Sequence, residues 1–198
     1  MKQQIRRSET KAKVVATARE LFLSHGLEET TLDNIAAACD LSKGAIYHHF
    51  SGKLALVAYL FEVEAVRSLL AARRSQPTLG ATHGRLVAIC QSWINQLKNP
   101  QTATILLDLG PRALGVEQAR KIEAKYSGRM MRIALRQTLR AEGLSVAKSK
   151  IHLASRIINS GLAEIAWARL HDLIEPELSD DWVRVLVDGQ ITMLRQGN

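Results

Sequence analysis

Proline, the strongest helix breaker, is rare in this chain, and the positions of the prolines constrain its fold more than any other feature of the sequence. Only four of the 198 residues are proline, and all four fall where the helical spacing of apolar residues is interrupted. Proline ends or kinks a helix because it lacks the backbone N–H and its ring clashes with the preceding turn. No segment shows the strict alternation of apolar and polar residues that marks a strand. The sequence therefore predicts an all-α fold of about nine helices.

The predicted helices divide into a small N-terminal domain and a larger C-terminal domain. The small domain covers residues 8–68 and has three helices ahead of a longer fourth one, within which the domain limit is placed. A loop around Pro77–Gly80 follows the fourth helix. The larger domain covers residues 69–198, with helices expected at about 82–98, 102–109, 116–141, 149–171 and 179–195.

The chain is strongly basic, which favours polyanionic partners and nucleic acid first among them. Its formal net charge is +8 and its isoelectric point is about 9.8. Residues 1–13 contain five basic residues and one acidic residue, and Arg6 and Arg7 in this arm are candidate DNA contacts. Taken alone, the arm is equally well interpreted as a solvated tail.

Several classes of protein are disfavoured by what the sequence lacks. The two cysteines, Cys39 and Cys90, lie far apart and form neither a disulfide framework nor a zinc pattern. No stretch is apolar enough for a signal peptide or a membrane span, so a cytoplasmic location without membrane contact is expected. The histidines form no i, i+4 pair and no phosphate-binding glycine loop is present. We therefore expect no enzyme activity, no cofactor and no metal site.

Residues 31–50 have the features of a helix-turn-helix motif, in which the second helix enters the major groove of DNA. A first helix over about 8–25 is expected to end at Gly26. A second helix begins at Thr30 or Thr31, because the sequence from Thr30 has the form of a capping box.

The third predicted helix is amphipathic and only two turns long. Ser42 is its expected N-cap, and Ile46 and Phe50, four residues apart, anchor it to the other helices. Gly44 and His48 lie roughly 200° from Ile46 around the helix, so they are expected to face the groove. A glycine there lets the backbone approach DNA closely, which offsets its poor helix propensity.

Three further side chains are suited to phosphate contact. Tyr47 and His48 can hydrogen-bond phosphate oxygens and so position the helix on DNA. Lys53 stands at the start of the fourth helix, where free N–H groups and the helix dipole favour an anion. Taken alone, residues of this motif are more often structural than functional, and Tyr47 and His49 could be ordinary packing residues.

The order of these residues resembles the N-terminal pattern of the TetR family of helix-turn-helix transcriptional regulators. The resemblance covers about residues 10–60 and rests on Ala18, Leu21-Phe22, Gly26, Thr30-Thr31, Ile35-Ala36, Ser42-Lys43-Gly44, Tyr47-His48-His49-Phe50 and Lys53. It implies DNA contacts by Thr31, Ser42, Lys43, Tyr47, His48 and Lys53. The chain departs from the pattern at Asp40, where the family usually has glycine; aspartate tolerates a left-handed backbone better than most residues.

The last two predicted helices are apolar on more than one side, which indicates a second buried face. In the final helix, Trp182, Leu186, Gly189 and Met193 form one stripe, and a second stripe comprises Val183, Val187, Gln190 and Leu194. Pairing helices 149–171 and 179–195 with a second copy would bury the extra stripe in a four-helix bundle. The resemblance likewise implies a homodimer through these helices. A fully internal helix pair in a monomer is the alternative.

The predicted helix 116–141 carries an unusual number of cations. At ideal helical pitch six of them fall within about 100° of arc: Lys121, Lys125, Arg129, Arg132, Arg136 and Arg140. A binding surface for an anionic ligand or partner is one interpretation. A solvated helix face is the simpler one.

The resemblance implies an effector pocket among the helices between about residues 82 and 171. Candidate lining residues, chosen because large or adaptable apolar groups and isolated polar groups line such cavities, are Trp93, Asp108, Tyr126, Met130 and Trp167. Core packing explains each of the apolar ones equally well, and a surface role explains Asp108.

Together these features predict a ligand-responsive transcriptional regulator, a repressor, that binds palindromic operator DNA as a homodimer and is released by a small-molecule effector. An enzyme whose site is assembled only by folding, a basic helical carrier of small molecules, and a DNA-binding dimer that activates or responds to no ligand are the alternatives. The sequence does not identify the effector or the operator.

Overall fold

The structure, a computed structural model, describes residues 2–74 and 82–196, and over these residues it consists of nine helices without a strand. The predicted all-α fold is therefore confirmed. The predicted loop at Pro77–Gly80 lies outside the described residues. The helices are α1 (Lys2–Glu29), α2 (Leu32–Ala38), α3 (Lys43–His49), α4 (Lys53–Arg74), α5 (His83–Gln96), α6 (100–114), α7 (116–141), α8 (Lys148–Leu170) and α9 (Pro176–Gln196).

Two of the nine helices contain a π-helical segment, in which the turns are wider than in an α-helix. In α6 the segment is Thr104–Leu109, and in α7 it is Ala124–Gly128. The expected helix 102–109 is thus longer than predicted, and Pro111 lies inside it rather than at a break. Pro111 is tolerated because it falls in the first turn of the α-helical segment that follows, where a missing N–H costs little.

The chain divides into two compact units. Unit 1 comprises the residues up to Val63 together with Thr104–Ala119, and unit 2 comprises Glu64–Ala103 and the residues from Arg120 onward. The division falls within α4, as the predicted limit does, but a few residues earlier. It also groups part of α6 and the first residues of α7 with the N-terminal helices, and the α6 part completes their core.

The core of unit 1 is built from the apolar faces of α1 to α4. Phe22, Ile35, Ile46 and Leu56 are buried in it. Ile105 and Leu109 from α6 complete this core. Gly110 lies so close to the ring of Phe61 that a Cβ atom there would clash with it, so only glycine lets α6 approach α4 at this point.

The first helix is longer than predicted at both ends. It begins at Lys2 rather than Ser8, so the basic arm is helical, with Arg6 and Arg7 exposed on it. Gly26 does interrupt the helix, at φ 81°, but one further turn follows as far as Glu29. The glycine supplies a positive φ that other residues adopt only under strain, and so it bends the helix instead of ending it.

Unit 2 is held together by α8 and α9, which pack against each other and against α5 and α7. Two polar contacts between side chains stabilise this packing. The His83 Nε2 atom lies 2.7 Å from Asp188 Oδ1, and the guanidinium of Arg195 donates two hydrogen bonds to the carboxylate of Glu142, at 2.6 and 2.8 Å. Helix α9 begins at Pro176, three residues earlier than expected, because proline is well suited to the first helical position.

Candidate DNA-binding surface

The start of α2 is fixed by a reciprocal pair of hydrogen bonds. The Thr31 hydroxyl oxygen accepts from the backbone N–H of Asn34 at 3.1 Å, and Asn34 Oδ1 accepts from the Thr31 N–H at 3.0 Å. The predicted capping box is therefore real, but it lies one residue later than the sequence pattern from Thr30 suggested. Thr30 is buried instead, and its hydroxyl donates to the carbonyl of Gly26 at 2.8 Å.

The turn between α2 and α3 is tight and includes a residue in the left-handed region. Asp40 has a φ of 53°, and the following N–H, that of Leu41, donates to the carbonyl of Ala36 at 3.0 Å. Aspartate accepts this conformation more readily than most residues. Asp40 thus adopts the left-handed conformation at the turn position where the sequence pattern usually has glycine.

Helix α3 is oriented by two buried side chains and a cap. Ile46 is fully buried and Phe50 is 5% exposed, as their spacing predicted. The Ser42 hydroxyl accepts from the Ala45 N–H at 3.2 Å and so fixes the first turn. The opposite face is exposed to solvent over Ser42, Lys43, Gly44, Tyr47 and His48.

The charges on this exposed face have defined neighbours. Lys43 Nζ lies 2.9 Å from Asp33 Oδ2, and the hydrogen bond from Lys43 and then the negative charge of Asp33 raise the pKa of the lysine. Burial lowers the pKa of His49, and the charges of His48, Arg7 and Lys11 lower it further. These effects favour the neutral form of His49, and Arg7 of α1 is close enough to act on the end of α3.

Lys53 has a different environment from the one predicted. Its ammonium donates to the carbonyl oxygens of Leu27 at 2.8 Å and Thr30 at 3.2 Å, which lie at the end of α1 and just beyond it. Carbonyls at a helix end have no intrahelical donor, so Lys53 satisfies them and fastens α4 to this end of α1. With two of three donor positions in use, a phosphate contact by Lys53 stays a prediction.

The residues predicted to line an effector pocket are not all brought together. Trp93, Tyr126, Met130 and Trp167 belong to unit 2, whereas Asp108 belongs to unit 1 and lies exposed, 3.7 Å from the guanidinium of Arg112. Trp167 is 41% exposed and packs against the ring of His171. Their role in ligand binding stays a prediction.

Unit 2 contains a buried polar group that the sequence analysis missed. The side chain of Glu64 is 2% exposed and accepts a hydrogen bond of 2.7 Å from the hydroxyl of Thr102. Next to it along α4, the Ser68 hydroxyl accepts from the indole N–H of Trp93 at 3.3 Å. We call Glu64, Ser68, Trp93 and Thr102 the Glu64 cluster. The sequence signal that could have revealed it is a carboxylate among the apolar residues of α4, three positions after Phe61.

A small cavity also lies in unit 2. Its volume is about 200 Å³, below the usual range for small-molecule sites. It is lined by Ile94, Leu97, Lys98, Ala166, Arg169 and Leu170. None of the five predicted pocket residues lines it.

The two apolar stripes predicted for the last helix are both present. Val183, Val187 and Leu194 are buried, while Trp182 is 52% and Met193 66% exposed. On α8 and α9 together, the large apolar residues left exposed are Leu153, Ile157, Trp167, Leu178, Trp182, Val185 and Met193. No described helix is long and apolar enough to cross a bilayer, and the described part of the chain has no cluster of potential metal ligands.

Known proteins match this chain in sequence and in fold. Residues 14–60 match the family model described as "Bacterial regulatory proteins, tetR family". The HTH-type transcriptional regulator SrpR of Pseudomonas putida is 28% identical over 144 residues, which cover 65% of this chain and 62% of SrpR. The uncharacterized HTH-type transcriptional regulator TtgW of Pseudomonas putida is 29% identical over 126 residues, covering 59% of this chain and 86% of TtgW.

A solved structure matches over most of the chain. The transcriptional regulator FadR from Bacillus subtilis, in complex with stearoyl-CoA, superposes with a TM-score of 0.67 at 19% identity. The match covers 90% of this chain and 98% of FadR. At this level of identity the likeness concerns the fold.

The capped helices α2 and α3 and the tight turn between them form a helix-turn-helix motif, which is typical of DNA-binding proteins. The comparisons narrow this further: residues 14–60 match the tetR family of bacterial regulatory proteins, and the named relatives are HTH-type transcriptional regulators. The matched domain and the named relatives belong to regulatory proteins, which agrees with the expectation that the chain is not an enzyme.

Proposed function

We propose that this protein is a homodimeric repressor that binds palindromic operator DNA through α3 and is released by a small-molecule effector. The observation that carries the proposal is the two-sided design of α3. Its inner residues are buried, and its outer face is exposed over the residues expected to contact DNA. A helix held in this way can lie in a major groove without rearrangement.

The outer face of α3 suits DNA in its chemistry. Gly44 projects no side chain, and a Cβ there would meet nothing nearer than the Ser42 hydroxyl at 3.9 Å. Tyr47 and His48 beside it offer hydrogen-bonding groups for phosphates or base edges. Arg6 and Arg7, exposed on α1, are proposed to add phosphate contacts.

The dimer is proposed to form through the exposed apolar residues of α8 and α9. On α9, Leu178, Trp182, Val185, Gly189 and Met193 recur at intervals of three or four residues, so they lie on one face. A row of this kind on each helix is the pattern of a helix-bundle interface. A twofold pair presents two α3 helices, as a palindromic site with half-sites one helical turn apart requires.

The effector is proposed to bind in unit 2, where the Glu64 cluster supplies polar groups within an apolar interior. A few convergent polar groups among apolar residues are typical of small-molecule sites. Effector binding is expected to favour a conformation with lower operator affinity. Because FadR from Bacillus subtilis binds stearoyl-CoA, that compound is the first to test, and the effector class is otherwise open.

Selection of bound duplexes from a random library tests the DNA-binding part of the proposal. The purified chain is expected to enrich a palindrome, and the Tyr47→Ala/His48→Ala variant is expected to lose that enrichment. A ligand screen by thermal shift, followed by release assays on the selected duplex, tests the response. Ligands that bind unit 2 without changing operator affinity would contradict the induction model.

A further inference from the structure

Helix α7 and the start of α8 carry an excess of positive charge that the proposed operator contact does not use. Residues 116–141 contain seven basic and two acidic residues, a net of +5 out of the +8 of the whole chain. From Arg129 to Ala163 the sole acidic residue is Glu142, and both its oxygens accept hydrogen bonds from Arg195. The sequence of this region therefore contains few negative charges.

Four of these cations form a regular row. The π-helical segment Ala124–Gly128 changes the pitch of α7, so Lys121 and Lys125 do not keep the alignment that an ideal helix predicts. The segment Arg129–Ala141 is a regular α-helix, and Arg129, Arg132, Arg136 and Arg140 on it are spaced by three or four residues. We call these four residues the arginine row. It is about 16 Å long, since each residue advances about 1.5 Å along the helix.

The arginine row is exposed or half-buried along its whole length, and among the described residues none of its four guanidinium groups forms an ion pair. Like charges three or four positions apart destabilise a helix. The row thus works against the stability of α7. An external anion would remove that repulsion.

The shape and chemistry of the row favour a linear polyanion. Contacts with a protein partner are centred on apolar and aromatic anchors, and a lipid surface requires an apolar helix face. On Arg129–Ala141, Ile133 is the one large apolar residue that is exposed. Double-stranded DNA carries a charge about every 1.7 Å of its axis, and its phosphates need only cations for contact.

We propose that the arginine row is a second surface for double-stranded DNA, one that contacts phosphates without regard to sequence and acts apart from α3. It adds affinity for any DNA and leaves the choice of operator to α3. Its contribution falls as salt concentration rises, because each phosphate contact releases counterions.

The test compares two variants with the same loss of charge in the full chain. The row variant is Arg129→Gln/Arg136→Gln/Arg140→Gln, and the control variant is Arg73→Gln/Arg74→Gln/Arg184→Gln, whose three arginines are also exposed and belong to unit 2. Both are combined with Tyr47→Ala/His48→Ala, so that α3 contributes little. The probe is a short fluorescein-labelled duplex of scrambled sequence, titrated between about 50 and 200 mM salt.

The row variant is expected to bind at least about tenfold more weakly than the control variant. Its slope of log affinity against log salt is expected to fall by about 2.7, that is 0.9 for each of three lost contacts. A third variant with lysine at the same three positions should restore most of the binding, since phosphate contact requires charge rather than guanidinium shape. This rescue distinguishes lost contacts from a misfolded helix.

Equal binding by the row and control variants would overturn the proposal. The proposal would also be overturned if the wild-type chain binds phosphatidylglycerol vesicles and the row variant loses this vesicle binding while its DNA binding is unchanged. Failure of the operator proposal would give a different result. The Tyr47→Ala/His48→Ala variant would then keep its sequence selectivity for DNA, whether or not the row variant binds more weakly than the control variant.

Discussion

The outer face of α3 and the outer faces of α8 and α9 are both exposed, yet they differ in composition. On α3 the exposed residues are glycine or carry polar groups, and they lie on the face opposite the buried pair Ile46 and Phe50. On α9 they are large and apolar, with Trp182 and Val185 more than half exposed. Exposure alone therefore does not predict the partner. The α3 face suits a hydrated polyanion, and the α8–α9 face suits a second apolar protein surface.

The largest effect is expected from charging the apolar face. Trp182→Arg/Val185→Arg places two cations where a twofold partner is proposed to pack, and unpaired charge in an apolar interface is costly. The variant should sediment as a 21.9 kDa monomer, while the wild-type chain sediments at twice that mass. Leu173→Arg, at an exposed apolar residue outside both helices, is the control. A wild-type monomer would refute the proposed role of this face.

The second effect separates the two sides of α3. Ile46→Ala removes a fully buried side chain, and loss of packing with the cavity left behind should reduce the free energy of unfolding by about 2–4 kcal/mol. Tyr47→Ala, one residue away, should leave unfolding by urea unchanged and weaken operator binding roughly tenfold. If Tyr47→Ala destabilises the chain as much as Ile46→Ala does, Tyr47 is a packing residue.

The third effect distinguishes two lysines of the same domain. Lys53→Met leaves the carbonyls of Leu27 and Thr30 without their donor, so we expect a loss of about 1–3 kcal/mol in the free energy of unfolding. Lys43→Met should leave the unfolding midpoint unchanged and lower DNA affinity, because Lys43 is exposed. Both variants are measured by urea unfolding and by titration with the selected duplex. Equal stability of the two would contradict the structural role given to Lys53.

The smallest effect concerns the polar contact between Arg195 and Glu142 in unit 2. The hydrogen bond from Arg195 and its positive charge lower the pKa of Glu142 below its ordinary value of 4.5, against the opposing effect of partial burial. A lowered pKa in the folded state means that the pair stabilises the fold above pH 4.5 and that this contribution is lost as pH falls below it. Arg195→Gln should thus lower the urea midpoint slightly at pH 7, and the difference should vanish in acid. A difference that grows in acid would contradict this account.

The helix-turn-helix was predictable to within about one residue because its rules are local. A cap, a turn residue and two anchors specify α3, and each is visible in the order of side chains from Thr31 to Phe50. The exception is Lys53. Its sequence position indicated a phosphate contact, but the acceptors of its hydrogen bonds lie more than twenty residues earlier, at Leu27 and Thr30. Nothing local reveals such a partner.

The rest of the molecule was predictable only as helices with apolar faces. Periodicity located α8 and α9 and both stripes of α9, yet it did not reveal the π-helical turns of α6 and α7. The π-helical turn of α7 changes the alignment of the cations on that helix from the one that ideal helical pitch predicts. The partnership of Glu64 with Thr102 likewise joins residues on different helices, which no local pattern specifies.

Photocrosslinking at position 47 tests most directly whether the outer face of α3 binds DNA. Tyr47 is replaced by benzoylphenylalanine, and the protein is irradiated with a duplex selected by the wild-type chain; the same replacement at Leu173 is the control. We expect a covalent protein–DNA product at position 47 and none at position 173. A duplex that still binds the substituted protein tightly but crosslinks at neither position would contradict the assignment of α3 as the DNA-binding helix.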